Sequence, residues 1–263
     1  YIRKIKNIKK RILQGDCYEM NYCFDMYSKN KTINPYETYI KLNDYTRSPM
    51  STFFKLNQLY LLSSSPERFI KRINRKIISQ PIKGTAKRGL DSKEDEKIKN
   101  TLLSSPKELS ENHMIVDLVR NDLSRVAEKG SVKVKNLNKL NTFKRVHQLI
   151  STIEAEIAVN TKFSKIISGM FPMGSMTGAP KIESMNIIDE YESTKRGLYS
   201  GSIGYIKPNK DFDFNVVIRS IIYDKLLKEI NVSVGSAITF KSDPESEFEE
   251  CLLKAEPMIK SLK

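Results

Sequence analysis

The sequence predicts a mixed α/β (α+β) domain with mostly antiparallel sheet, and three observations lead there. Strand-like runs outnumber helical ones and follow one another as meanders. The helical runs carry their own capping residues, and no repeat or low-complexity linker interrupts the 263 residues. With nothing to mark a boundary, residues 1–263 read as one domain. The sequence opens on Tyr1 with no initiator methionine, so further residues are expected upstream.

Residues 1–14 place Ile5, Ile8, Ile12 and Leu13 at helical spacing among Lys and Arg, and Gly15 ends that helix. Residues 18–27 alternate polar and apolar, as a strand does. A short helix follows over 35–44, opened by Pro35. Consecutive strands come next at 51–55, 59–63, 68–72 and 76–79, with turns at Asn57 and Asn74. Ser105-Pro106-Lys107-Glu108 is a capping box. The helix it opens runs to Lys129 with Ile115, Val119, Leu123 and Val126 inward, and Gly130 closes it. Strands near 131–134 and 147–158, a helix near 162–170, a Gly-containing loop and a helix over 180–191 follow. Residues 202–207, 212–223 and 229–239 read as three antiparallel strands. Asp243-Pro244 caps a last helix whose inward stripe is Phe248, Leu252, Ala255 and Ile259.

Composition bounds the function. Hydrophobic residues make up 39% and charged residues 29%, which suits a soluble globular chain and argues against disorder. No stretch approaches the ~20 apolar residues that cross a bilayer, and the N-terminus lacks the apolar core of a signal peptide. No membrane is therefore expected as a partner. Cys17, Cys23 and Cys251 form neither a disulfide framework nor a zinc site, and they suit a reducing cytoplasm. The net charge of +14 raises nucleic-acid binding as a possibility. Lys and Arg are spread along the chain, however, with no zinc-finger spacing and no Arg–aromatic interleaving. A solvated lysine-rich surface accounts for the charge, and an anionic substrate would gain from the same field. No nucleic-acid partner is expected.

Several places could carry chemistry. Glu247, Glu249 and Glu250 open the last helix, where the helix dipole alone favours acids. Glu247 and Glu250 nonetheless lie three apart on one flank, and with Glu111 they would make an oxygen site suited to Mg²⁺. The loop Gly174-Ser175-Met176-Thr177-Gly178-Ala179 precedes a helix and offers backbone N–H groups to an anion, although P-loop spacing fails at Lys181. Lys83 stands at a strand end beside Gly84-Thr85, ordinarily the place of a solvated turn lysine. It becomes a nucleophile only through desolvation or a neighbouring cation, and Lys87 and Arg88 are close in sequence. His113 and His147 are the only histidines, and no Ser-His-Asp order or metal-ligand pair can be read from them.

Together these runs resemble the chorismate-utilising enzymes, that is, the anthranilate, aminodeoxychorismate, isochorismate and salicylate synthases. The carriers are Gly15-Asp16-Cys17-Tyr18-Glu19, Ser65-Pro66-Glu67-Arg68-Phe69, Pro81-Ile82-Lys83-Gly84-Thr85 and Glu111-Asn112 leading into Asp117-Leu118-Val119-Arg120-Asn121-Asp122-Leu123. They continue with His147, the Gly174 to Lys181 run, Gly201-Ser202-Ile203-Gly204-Tyr205, Ile218-Arg219, Gly235 and Glu247 to Glu250. Each is weak alone; together, in register, they are specific. The resemblance implies a sandwich of two facing, mostly antiparallel β-sheets with helices outside. It implies chorismate as substrate and Mg²⁺ held by Glu111 and Glu250, with Glu247 close to the ion. Tyr205 and Arg219 would take the enolpyruvyl carboxylate, a pairing that the planar guanidinium suits, and backbone amides around Gly235 would add donors. Ser175 and His147 would line the ring site, Gly84 and Thr85 would also contact substrate, and Glu67 would be the general acid at the 4-hydroxyl.

Small differences favour one branch. The aminodeoxychorismate synthases read Pro-Ile-Lys-Gly-Thr where the anthranilate synthases carry Ala in the middle, and this chain has Lys83. They also read Gly-Ser-x-Thr-Gly-Ala-Pro-Lys, as here. The water-activating Lys of the isochorismate and salicylate synthases is replaced by Glu19. The branch implies a covalent role for Lys83 and ammonia from a separate glutamine amidotransferase subunit. Glu19, where amine-transferring members usually carry Gln, and Ala237, where a second Gly is common, depart from the pattern. Anthranilate synthase component I is the nearest alternative reading. A basic nucleic-acid-binding protein is a distant one, and an inactive paralogue a third.

Overall fold

The computed structural model describes residues 1–263. The first elements in chain order are α1 (Ile2–Leu13), β1 (Glu19–Ser28), α2 (Pro35–Thr46), β2 (Met50–Leu56), β3 (Leu59–Ser65), β4 (Arg68–Ile73), β5 (Lys76–Gln80) and β6 (Ile82–Lys87). Then come α3 (Ser92–Ser104), α4 (Pro106–Ser124), β7 (Lys133–Thr142), β8 (Val146–Glu156), α5 (Phe163–Met170), β9 (Gly178–Ala179) and α6 (Lys181–Tyr191). The chain ends with β10 (Gly204–Ile206), β11 (Phe212–Asn215), β12 (Ser220–Asp224), β13 (Glu229–Thr239) and α7 (Pro244–Ser261).

Two compact units share the chain. The first comprises Tyr1–Pro66, Met176–Ile203 and Asn215–Lys263, and the second Glu67–Ser175 and Gly204–Phe214. Each is built on one sheet. In the first unit the strand order is β2-β3-β12-β13-β1-β9, with antiparallel pairing. Its apolar residues gather into two clusters. Leu42, Leu62, Ile221 and Tyr223 pack with Cys251, Ala255 and Met258 of α7, while Ile5, Ile8 and Ile12 of α1 pack with Met20, Ile187 and Ile238. Each fully buried isoleucine of α1 contributes roughly 1.5–3 kcal/mol of transfer free energy.

The second unit has the order β10-β11-β4-β5-β8-β6, with β7 also on β8. β5 and β6 take consecutive stretches of β8: Lys76 to Ser79 face Glu156 to Ile153, and Thr85 to Lys87 face Gln148 to Val146. α4 buries Ile115, Val116, Val119 and Leu123, among them three of the four inward residues expected of it, and the fourth, Val126, is buried just past its end. The Ser105 cap accepts from the Glu108 N–H.

The structure corrects the sequence reading in five places, the last of them in α7. The strands expected from 51 to 79 are all present, but β2 and β3 belong to one sheet and β4 and β5 to the other. α4 ends at Ser124 rather than Lys129, because Arg125 and Val126 turn back onto Asp122 and Leu123 with the tighter bonds typical of a helix end. α3 was not foreseen. It is capped by Asp91 but buries only Asp95 and Leu102, too little for an apolar period. The 212–223 run is two strands, β11 in one sheet and β12 in the other. The break between them holds Arg219 in the left-handed region at φ 53°.

The stripe of α7 is also rotated. Glu247, Cys251, Ala255 and Met258 face inward, while Leu252 and Ile259 are exposed. Only Ala255 of the expected set is fully buried, although Phe248 packs beside Tyr1 and Phe24. Hydropathy favoured Leu and Ile, whereas the helix turns its smaller Cys and Ala face to the sheet.

Candidate active site

Lys83 lies inside β6, not beyond its end. Register jumps from Ile82↔Ile150 to Thr85↔Gln148, so Lys83 and Gly84 occupy a bulge, a device that re-aims a side chain. Gly84 makes the bulge possible, with φ +85° and a Cβ position 3.1 Å from Glu108 Oε2 and 3.2 Å from Leu149 Cδ1. Any side chain there would be strained and crowded. Only 11% of the Lys83 side chain is exposed, and its Nζ stands 4.0 Å from Glu111 Oε2 on α4. Glu111 is itself buried, with its other oxygen 4.0 Å from Lys107 Nζ. Loss of water disfavours the charged form of the lysine, whereas the Glu111 carboxylate favours it. Lys87 and Arg88 are exposed, and Arg88 is committed to Asp95 through paired bonds of 2.8 and 2.9 Å, so these two are not its partners.

Glu67, at the entry to β4, is buried within the same unit, and burial pushes its carboxyl up to about 7. A hydrogen bond from Ser175, the charge of Lys83 and the Ile82 backbone N–H pull the other way. A carboxyl with this pKa is still substantially protonated at neutral pH and can give up a proton there. The second unit therefore brings Lys83, Glu67, Glu111 and Ser175 together. Thr85 is exposed and paired with Gln148, whose side-chain N–H reaches its hydroxyl at 3.4 Å. Tyr205, on β10, is 56% exposed.

His147, expected along the ring site, lies on β8. It is fully buried, with Nε2 2.8 Å from Asp95 Oδ1 and Nδ1 2.9 Å from Thr142 Oγ1. Both ring nitrogens are engaged by protein, which makes it a supporting residue for β8 and α3. Asp95 also accepts from Arg88 and the Gly89 N–H, and these donors hold its carboxyl well below the usual range. Sequence reasoning missed Asp95 because nothing in the local pattern distinguishes it from a solvated acid in a first helical turn.

The first unit holds the remaining set. Glu247 is buried near the start of α7, and Glu250 lies one turn on. Lys254 bridges Glu250 Oε1 at 2.6 Å and the Gly235 carbonyl at 2.9 Å. Gly235 sits in β13 opposite Cys23, and a Cβ there would lie 2.5 Å from Cys23 Sγ and 2.7 Å from the Tyr22 carbonyl, so no side chain fits. The Arg219 carbonyl accepts from the Ser64 N–H at 3.1 Å. Burial pushes the Arg219 guanidinium's pKa down, and Tyr199 and Glu250 push it back up; arginine stays charged regardless. Glu19 is buried at the start of β1.

The carboxylates Glu111, Glu247 and Glu250 offer hard oxygen donors, the chemistry Mg²⁺ takes, and two of them already face an ammonium group. Neither unit by itself gathers three or more His, Cys, Asp or Glu as a metal cage. Mg²⁺ typically needs only one or two carboxylates and keeps waters for the rest.

A family model described as chorismate binding enzyme matches residues 1–260. The chain belongs to the chorismate-binding enzyme family. It is 42% identical to an aminodeoxychorismate synthase of Arabidopsis thaliana, over 97% of this chain and 28% of that protein. It is 38% identical to aminodeoxychorismate synthase component 1 of Escherichia coli, over 100% of this chain and 57% of that protein. Among solved structures, anthranilate synthase component I of Streptococcus pneumoniae superposes with a TM-score of 0.87 at 28% identity, covering 98% of this chain and 56% of that one. The chain thus spans between about a quarter and three-fifths of the length of these relatives. No helix is long and apolar enough to cross a membrane.

Proposed function

We propose that this chain is the chorismate-aminating part of an aminodeoxychorismate synthase, taking chorismate and ammonia to 4-amino-4-deoxychorismate and water. The observation that carries the reading is the largely shielded Lys83 side chain, 4.0 Å from Glu111 and close enough to Glu67 to act on its titration. The two curated relatives named above share the reading in their names.

In the proposed reaction Lys83 first gives its ammonium proton to solvent, and the neutral amine attacks ring C2 as Glu67 gives its proton to the departing 4-hydroxyl, which leaves as water while the ring double bonds shift. The Lys83 nitrogen, now cationic, hands a proton to the ionised Glu67. As ammonia forms the new bond at C4 and the double bonds return, Glu67 gives that proton back to the Lys83 nitrogen, which leaves C2 with the bond's electron pair as a neutral amine, and the new C4 ammonium gives a proton to Glu67 to restore the acid. Two displacements deliver nitrogen to C4, the carbon that lost the hydroxyl. Glu111 and Glu250 would hold Mg²⁺ with Glu247 close by, and the ion would neutralise the ring carboxylate. Tyr205 and Arg219 would bind the enolpyruvyl carboxylate, with backbone donors near Gly235, and Gly84, Thr85 and Ser175 would contact the ring. Ammonia would come from a glutamine amidotransferase partner, in keeping with the component 1 name of the E. coli relative. On this reading both units serve one catalytic domain. The three free, buried cysteines suit a reducing setting such as the cytoplasm.

Mass spectrometry of products from chorismate, Mg²⁺ and an ammonium salt tests this. The expected product is 4-amino-4-deoxychorismate without pyruvate. Anthranilate with pyruvate would overturn the reading in favour of the activity named in the S. pneumoniae structure.

A further inference from the structure

The bulge that aims Lys83 has a backbone cost, because Lys83 and Gly84 fall between the register pairs Ile82↔Ile150 and Thr85↔Gln148. A bulge disrupts the ladder locally. Here a side chain reaches the bulged backbone. The amide of Asn112, next to Glu111 on α4, reaches the Lys83 carbonyl at 3.5 Å, a long contact whose value lies in direction more than in strength. Asn112 Oδ1 is 2.6 Å from Ser151 Oγ on β8, and Ser151 Oγ is 3.1 Å from the backbone N of Asn138 on β7. Asn112 and Ser151 are buried.

The polarity of this chain is fixed from one end. A backbone N–H can only donate, so Ser151 Oγ accepts from Asn138. The serine proton is then left for Asn112 Oδ1, and the amide turns its N–H groups toward Lys83. Asn138 is itself tied to α4 by His113, 3.1 Å from its side-chain nitrogen. Ser151 also reaches β6 through its backbone N–H, which donates to the Pro81 carbonyl at 3.2 Å. Two consecutive residues of α4 therefore hold the lysine at both ends, Glu111 at the ammonium and Asn112 at the carbonyl.

We propose that Asn112, oriented by Ser151, is a positioning residue that sets the aim and reactivity of Lys83. Its catalytic arm rests on the reading of Lys83 as nucleophile; its chemical arm does not. Competitive acetylation of the folded chain by acetic anhydride, followed by peptide mass spectrometry, reads Lys83 reactivity with no substrate present, against the exposed Lys97 as internal standard. Asn112→Ala and Ser151→Ala are each expected to change the Lys83 rate about tenfold. Ser151→Thr, which keeps the hydroxyl, should return it toward the original value. With chorismate, Mg²⁺ and ammonium, Ser151→Ala should lower kcat by roughly ten- to a hundredfold, the scale of a small misplacement, with KM within about twofold. Melting curves identify which variants fold, and either alanine variant alone decides. Unchanged Lys83 acetylation in a folded variant overturns the positioning role. Product formation surviving in Lys83→Ala would overturn the nucleophile reading instead, and the acetylation rates would then decide the role of Asn112 and Ser151 by themselves.

Discussion

The surroundings of Lys83 in the second unit and the start of α7 in the first unit organise charge in opposite ways. Lys83 and Glu111 are held where little water reaches, with 11% and 9% of their side chains exposed. Glu67 beside them is buried enough for its carboxyl to climb to about 7. Glu250 is 47% exposed and answers to Lys254 through an ordinary i,i+4 ion pair. Removing water changes what a group does, whereas a surface ion pair mostly fixes where it points. On the proposed function, the proton-transfer and covalent roles would fall to the second unit, while Glu250 of α7 stands where an ion and its waters could exchange.

Breaking the buried side should have the largest effect. Glu67→Gln keeps the shape but removes the acid, and turnover with chorismate and ammonium is expected to fall by about 10²–10⁴-fold. The same variant should gain stability at high pH. A carboxyl raised from 4.5 to about 7 costs nothing below its unfolded value, and its ionisation penalises the fold progressively as pH rises through that window. Glu67→Gln escapes the penalty, on the order of 3 kcal/mol at pH 8 and near zero at pH 4, readable by denaturant unfolding at both values. A stability difference independent of pH would contradict the burial account.

Ser175→Ala tests the same carboxyl more gently. The Ser175 hydrogen bond lowers the Glu67 pKa, so its loss should move the alkaline limb of the kcat/KM profile to higher pH. A downward shift would mean that Ser175 favours the neutral acid. On the exposed side, Glu250→Gln should raise the Mg²⁺ concentration needed for half-maximal turnover while changing stability by under about 1 kcal/mol, because a half-exposed pair contributes little. A large loss of stability there would erase the contrast between the regions.

Much of this was legible in the sequence. Caps at Ser105 and Asp243, the turn at Gly15, and Ile115, Val119 and Leu123 inside α4 were visible because local chemistry dictates them. The motif around Lys83 was visible as a resemblance. What was hidden depended on tertiary pairing. The bulge exists only because β6 lies against β8, and the break at Arg219 only because β11 and β12 join different sheets. His147 carried no sign that Asp95, from the unforeseen α3, would claim its Nε2. The turn of α7 went wrong where hydropathy outweighed size. By its local sequence Lys83 reads as a solvated turn residue, and the resemblance alone singled it out; its shielding depends on the bulge.

The most direct measurement is intact-protein and peptide mass spectrometry of the chain mixed with chorismate and Mg²⁺ and no ammonia. The account predicts a covalent adduct on Lys83 equal to chorismate less water, discharged as 4-amino-4-deoxychorismate when ammonium is added and absent in Lys83→Ala. Amination that proceeds at the original rate in Lys83→Ala, with no adduct in the parent chain, would contradict it.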